Sequence, residues 1–373
     1  MENIGHLSPA SLTTACIFLD NFRLGGFQRL ALDQAYELSD RGYSVNLYVT
    51  ASPDSWVMPR LESKFIAEKN IQVYETPISR AMQILFFWKQ LSSIPTGSLF
   101  ISHSLRATFS LRILKMITCR KFVISTTIHQ LPRLSHLSQR LRRFIYGQFS
   151  DNLYCFSSAV STDWTSQFGR TFSFFVQNFT RRISLRRNGV YLNRLPPVRE
   201  QLKVKQPRLI YLGRTTFWKG LETILDLARE VEMSDFDFLM IVPDFSEGDF
   251  EELSKILGDR LNVITGKTIS DLEFRDGDVH VYPANYGSRV NIHESISLNC
   301  LEMASIGIPT LVTKGGLSTW PEIHRSNLIH EVDWAQKSCL VRKLHEVSAL
   351  RISDEEIEAT RRLFDIGNQF IQG

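Results

Sequence analysis

Acidic residues are nearly missing from one long stretch of this 373-residue chain. Between Thr76 and Arg199 there are 18 Lys and Arg but only two acids, Asp151 and Asp163, a net of +16. The remainder carries 25 basic and 37 acidic residues, a net of −12, so the overall +4 hides two electrically opposite parts. Cysteine is scarce too. Cys16, Cys119, Cys155, Cys300 and Cys339 are scattered, odd in number and form no CxxC pair. That argues against a disulfide or zinc framework and predicts reduced thiols in a cytoplasmic setting. No run of about eighteen apolar residues occurs, so no membrane-spanning helix is expected. MENIGHLSPASLTTACIFLDNF lacks a charged n-region followed by an apolar h-region, and no secretion signal is expected. Internal repeats and low-complexity tracts are missing as well.

What is present alternates strand and helix patterns, which predicts parallel sheets in an α/β fold. With 43% hydrophobic and 22% charged residues the chain has the composition of a folded protein, and its length suffices for two domains with substantial cores. TTACIFLDN reads as a first strand, FQRLALDQAYELSD as a helix, Arg41-Gly42 as a turn and YSVNLYV as a second strand. NGVYLNRLPPVREQLKVKQP, with its Pro-Pro, reads as a linker. The expected division is residues 1–190 and 200–354, with a terminal helix at about 355–373. The second domain's expected strands are RLIYLG, FDFLMIVP, LNVITG, VHVYP and IPTLVT.

Two segments of the second domain carry most of the chemistry. In HESISLNCLEMASIGIPTLVTKGG, Glu294 and Glu302 flank a loop-to-helix junction. Ser295 and Ser297 are suitable N-caps, LNCLEMAS reads as a short helix and Gly307 closes it. At about 1.5 Å rise per residue the carboxylates stand up to roughly 12 Å apart along the axis, about the span from sugar to ribose in a nucleotide sugar. The N–H groups of the helix start lie between them, where a diphosphate can bind. Some eighty residues upstream, RLIYLGRTTFWKGLETILDLAREV places Arg214 and Lys219 in a strand-to-helix loop, where open α/β sheets bind ligands. Two cations there can stabilise the charge that develops as a nucleoside diphosphate leaves. In the first domain, Gly25 and Gly26 end the loop after the first strand, where a side chain would obstruct close backbone approach. LFISHSL and FVISTTIHQL put His103 and His129 at the ends of strand-like runs.

Together these segments resemble retaining GT-B glycosyltransferases, in particular glycosyltransferase family 4 (group 1), whose signature is the EX7E spacing. The resemblance covers most of the chain and is strongest from residue 208 to about 325. It implies two Rossmann-like domains facing a central cleft, the first on the acceptor side and the second binding the nucleotide sugar, with the terminal helix at about 355–373 packing back on the first. It also implies a nucleotide-diphosphate sugar as donor, UDP- or GDP-linked, with no other cofactor and no metal required. Carried over, Glu294 contacts the donor sugar and Glu302 the ribose. Ser295, Ile296, Ser297, Leu298 and Asn299 supply the intervening phosphate-binding backbone, and Arg214 and Lys219 hold the diphosphate. The Gly25-Gly26 loop faces the donor phosphate and acceptor, and His129 lies near the reacting centre. Asn178 falls near the family's usual pre-linker Asn. His103 is a looser match and reads as structural. The family commonly has Gly-Phe-Gly where this chain has Ser295-Ile296-Ser297. The longer segment before Glu294 offers Arg289, Asn291 and His293 as further contacts. DFD (235–237) and DGD (276–278) look like a DxD metal motif but border apolar strands, and read as strand-edge acids.

The implied activity is transfer of a sugar to a glycan or glycolipid hydroxyl, in bacterial cell-surface polysaccharide or lipopolysaccharide synthesis. The basic stretch interleaves cations with Leu, Ile, Phe and Tyr at helical spacing in LRATFSLRILKMITCRK and LSHLSQRLRRFIYGQF. It reads either as a core-packed helix with a solvated basic face or as a segment lying on an anionic membrane, which would put the protein on the inner face of the cell membrane. No nucleic-acid-binding signature accompanies it, and no nucleic acid is expected. Two alternatives stand beside the transferase: a nucleotide-sugar epimerase of the same fold, and a non-catalytic scaffold that binds polyanions.

Overall fold

The structure, a computed structural model, describes residues 14–21, 26–50, 62–120, 122–128, 150–155, 183–185, 189–196, 206–214, 219–242, 247–284, 297–314, 323 and 326–371. The chain divides into two compact units, Met1–Phe156 with Ser161–Leu185, and Ser157–Val160 with Arg186–Gly373. Each is an α/β unit built on one parallel sheet, as the alternating sequence pattern predicts.

In the first unit the strands are β1 (Thr14–Leu19), β2 (Ser44–Val49), β3 (Gln72–Glu75), β4 (Leu99–Ser102), β5 (Val123–Ile128), β6 (Asn152–Cys155) and β7 (Ile183–Leu185). They lie in the order β3-β2-β1-β4-β5-β6-β7. Every residue of β1 is buried, as a parallel strand covered on both faces requires. The helices are α1 (Gly26–Asp40), α2 (Ser63–Glu68), α3 (Arg80–Ser93) and α4 (Leu105–Thr118). Gly42, with φ +85, makes the turn that ends α1, a conformation an L side chain resists. Ser104 caps α4 by accepting from the Ala107 N–H at 3.0 Å. One face of the sheet carries an aromatic cluster, with Phe18 stacked on Tyr48 at 5.0 Å and edge-on to Phe87 at 5.2 Å; such pairs contribute about 0.5–1.5 kcal/mol beyond area burial.

The second unit's sheet runs β10-β9-β8-β11-β12-β13. Its strands are β8 (Arg208–Leu212), β9 (Asp237–Val242), β10 (Leu261–Thr265), β11 (Val279–Tyr282), β12 (Thr310–Thr313) and β13 (Ile329–Val332). Five match the expected strands. β13 was not among them: it is an edge strand whose centre is His330-Glu331, so it lacks a buried-type apolar run. The helices are α5 (Leu221–Ala228), α6 (Glu247–Leu257), α7 (Leu298–Ser305), α8 (Lys337–Ser348), α9 (Asp354–Phe364) and α10 (Ile366–Ile371). Ser353 and Glu356 form a capping box for α9, whose acidic first turn and basic last turn suit the helix dipole. α9 packs on α7, with Arg361 donating to the Ser305 carbonyl at 3.4 Å, and Thr360 is bonded to Ser326, just ahead of β13, at 3.0 Å. The expected single terminal helix is broken at Asp365, which pairs with Val190 as an isolated parallel bridge. Gly189 is needed there, because a Cβ would meet the Ile366 Cα at 2.6 Å.

His280, on β11, is wholly buried, and its Nδ1 lies 3.3 Å from the Thr310 hydroxyl on the neighbouring strand. Burial lowers its pKa to about 3. The folded protein therefore keeps the ring neutral, while the unfolded chain takes up a proton below about pH 6.5. The unfolded state binds more protons between those values, so stability falls as pH falls through this window. Between pH 8 and 5 this one group removes about 2 kcal/mol. Urea unfolding of wild type and His280→Asn at both pH values checks it: the variant should lose about 2 kcal/mol less on acidification, and equal losses would contradict the assignment.

Candidate functional site

Winding in the second sheet reverses between β8 and β11, since β9 and β10 lie on one side and β12 and β13 on the other. Ligands of open parallel sheets bind at the carboxyl ends of the strands at such a reversal. Four segments meet there. From β8 come Tyr211 to Arg214, with Arg214 exposed and its carbonyl accepting from Tyr211 Oη at 2.5 Å. From the start of α5 come Lys219 and Gly220. Gly220 has φ +82, and a Cβ on it would meet the Pro283 carbonyl oxygen at 2.6 Å. The Lys-Gly pair thus presses the loop against the end of β11 in a way only glycine allows. β11 contributes Tyr282, whose hydroxyl accepts from Lys219 Nζ at 2.6 Å. The ammonium is 5.1 Å from the ring centroid, so it sits beyond the hydroxyl and the contact is a hydrogen bond, not a cation–π stack.

The start of α7 is the fourth segment. Asn299 Nδ2 donates to the Leu212 carbonyl at 2.8 Å, tying the helix to the end of β8. Ser297 is the N-cap, with extended backbone and no capping bond from its hydroxyl. Leu298 is buried. The Cys300 N–H turns back to the Ser297 carbonyl at 3.0 Å, while those of Leu298 and Asn299, at the first two helical positions, have no carbonyl a turn earlier to donate to and concentrate positive potential. Burial pushes the pKa of the Tyr211 phenol and the Cys300 thiol up, and in both the Lys219 charge works against it. One cation is therefore in electrostatic reach of β8 and α7 alike. The loop carrying Arg214 and Lys219 and the helix carrying Glu302 are thus neighbours, although some eighty residues separate them in sequence.

One turn into α7, Glu302 is almost entirely buried and forms an ion pair with Arg194. The Arg194 side chain is fully buried. It sits on a single 3-10 turn, Leu192–Arg194, inside the stretch that reads as a linker. Sequence reasoning missed this partner, since nothing in NRLPP distinguishes an arginine that turns inward. Tyr282 and Tyr211 were missed as well, each at the end of an apolar strand.

In the first unit the reversal lies between β1 and β4. Ser104 Oγ donates to Asp20 Oδ1 at 2.5 Å, and Gln28 Nε2 donates to Asn21 Oδ1 at 2.6 Å. His103 is buried, with Nε2 2.8 Å from Gln34 Oε1; that oxygen only accepts, so Nε2 carries the proton. Gly26 opens α1, and a Cβ on it would meet nothing within 4 Å, so internal packing does not explain the glycine. Gly25, His129, Asn178, Arg289, Asn291, His293, Glu294, Ser295 and Ile296 lie outside the described residues. Both oxygens of Asp278, from the DGD segment, are engaged by Arg208 at 2.8 and 2.7 Å. Among the described residues no group of three or more His, Cys, Asp or Glu is placed to hold a metal ion.

No protein-family model matches the sequence, and no curated protein matches it either. Solved structures do. The HepE protein of Anabaena in complex with UDP aligns over 96% of this chain and 98% of its own, with TM-score 0.70 and 13% identity. Sucrose-phosphate synthase from Thermosynechococcus elongatus aligns over 96% and 97%, with TM-score 0.65 and 13% identity. A Listeria monocytogenes protein provisionally identified as a UDP-N-acetylglucosamine 2-epimerase aligns over 96% and 94%, with TM-score 0.56 and 11% identity. The fold is that of these α/β proteins with two Rossmann-like domains, the GT-B fold.

The Arg194–Glu302 pair is open to a direct check. Removing one partner of a buried pair costs about 3–5 kcal/mol, whereas replacing both with apolar residues is often neutral. Arg194→Met should lose that much in urea unfolding, and Arg194→Met with Glu302→Leu should regain most of it. A single variant within about 1 kcal/mol of wild type would contradict a buried pair.

Proposed function

We propose that the protein is a retaining glycosyltransferase of the family 4 type, which moves a sugar from a nucleotide-diphosphate donor to a hydroxyl of a glycan or glycolipid. The convergence at the β8–β11 reversal carries this reading: two cations, a helix start and a buried carboxylate in one unit. Arg214 and Lys219 take the leaving diphosphate, the guanidinium forking across two oxygens and the ammonium acting as a point charge. The first turn of α7, from Ser297 through Asn299, adds N–H donors. Glu302, charged and oriented by Arg194, receives the ribose hydroxyls. Glu294 positions the donor sugar, with Ser295 and Ile296 beside it. His129 and the Gly25-Gly26 loop approach the reacting centre from the first unit. Attack then occurs on the face the leaving group departs from, assisted by the phosphate itself. The two cations supply charge stabilisation without calling on a metal. HepE has been solved with UDP and with UDP-glucose, which supports a uridine nucleotide as the first donor class to test. A lipid-linked acceptor for surface polysaccharide would bring the enzyme to the cytoplasmic face of a membrane.

Thermal-shift measurements with UDP, GDP and ADP, followed by assays of transfer and donor hydrolysis across nucleotide sugars, test the reading. Lys219→Ala should lower turnover about 10²–10³-fold, the usual effect of deleting one preorganised charge-stabilising donor. Glu294→Ala should act in the same direction. Folded variants with full activity would refute the assignments. The similarity to the Listeria protein keeps an epimerase as the second reading; conversion of the donor sugar with no acceptor, followed by NMR, would favour it.

A further inference from the structure

The first unit carries a surface that nucleotide binding does not use. Along α3 and just past its end, Gln83, Phe87, Leu91 and Ile94 recur at helical spacing and are buried. On the other side Ile78, just ahead of the helix, and Met82, Leu85 and Trp88 recur at intervals of four, three and three. They are 68%, 54%, 59% and 49% exposed. The last turn of α4 adds Met116 and Ile117, both more than half exposed. Eight large hydrophobic side chains are exposed among the described residues, and seven of them fall between Ile78 and Val123. Such clustering is not the scatter of single apolar residues that any surface shows.

α3 and α4 pack side by side. Arg106, early in α4, donates to the Ile78 carbonyl at 3.3 Å, and Arg120, just past its end, donates to the Leu91 carbonyl. The two helices therefore run in the same direction, which puts Trp88 at the same end as Met116 and Ile117. The charge is one-sided. From Thr76 to Ser150 the sequence holds 11 Lys and Arg and no acid. Among the described residues Arg112 and Lys115 share one acid, Asp151, at 3.2 and 2.7 Å. Lys89 and Arg120 stand exposed near the apolar residues.

We propose that the α3–α4 face is where the protein seats on an anionic lipid bilayer, with the Ile78–Trp88 stripe at the headgroup–acyl boundary and Lys89 and Arg120 among the headgroups. An anionic membrane supplies both things the face asks for, negative charge and an apolar phase beneath it. Nucleic acid supplies the charge but leaves Met82 and Leu85 in water. A two-fold pairing of the chain with itself sets the same cations against each other with no acid between them. Trp88 occupies the depth that amphipathic aromatic rings prefer. None of the described helices is long and apolar enough to cross a membrane, so the contact is peripheral. It stands whether or not the second unit binds a nucleotide.

Co-sedimentation of the full chain with phosphatidylcholine vesicles, with and without phosphatidylglycerol, tests the proposal. Binding should require the anionic lipid and weaken with added salt. Leu85→Ser with Trp88→Ser should reduce it about tenfold or more, and Lys89→Glu should do so separately. These are surface positions, so thermal melting should match wild type, and nucleotide-induced thermal shifts should be unchanged. Three results would overturn the proposal: no pelleting with anionic vesicles, equal pelleting of the variants, or a wild-type dimer in sedimentation equilibrium that the Leu85/Trp88 variant turns into monomer. Polyanion binding indifferent to the apolar substitutions, without vesicle binding, would assign the face to nucleic acid instead.

Discussion

A parallel sheet wound from its middle has to reverse direction once, and in the second unit that reversal falls between β8 and β11. Everything assigned to the nucleotide depends on it. The reversal turns two loops from distant parts of the sequence toward one point, and the Asn299–Leu212 hydrogen bond fixes them there. Gly220 lets the cation-bearing loop lie against Pro283 with no side chain between. The chemistry proposed, charge held by a guanidinium, an ammonium and a helix start, needs little more than this convergence, because phosphate binding is mostly positioning and electrostatics.

The Arg194–Glu302 pair bears on the ribose-binding role proposed for Glu302. An exposed carboxylate would have to be oriented by its ligand. Here a buried guanidinium holds it in advance, at a desolvation cost that only a close partner offsets. The same contact ties the stretch that follows the first unit into the core of the second. The neighbouring Val190–Asp365 bridge, tight against Gly189, does the same one turn earlier. The described part of the segment that looks like a linker, residues 189–196, belongs to the second unit.

Much of the fold was legible because its strands are short apolar runs bounded by turns, and RLIYL, DFLMIV and VHVY could hardly be anything else. β13 was not, since His330 and Glu331 at a sheet edge break the run. The terminal helix was read as continuous because the break at Asp365 is set by a partner 175 positions earlier. The placement of the candidate residues was legible where spacing carries geometry: Lys219 before a glycine, and Asn299 and Glu302 on one short helix. Their supporting side chains were not. Arg194, Tyr211 and Tyr282 are ordinary residues whose direction only packing decides. The basic stretch was legible as charge, but which apolar residues of α3 turn outward followed only from burial of the opposite face.

The crystal structure of the protein with UDP bound tests the central claim most directly. The account predicts the diphosphate between Arg214 and Lys219 at the first turn of α7, with a ribose hydroxyl donating to Glu302 while Arg194 keeps its hold. UDP bound away from the β8–β11 reversal, or held there with Glu302 out of reach of the ribose, would contradict it.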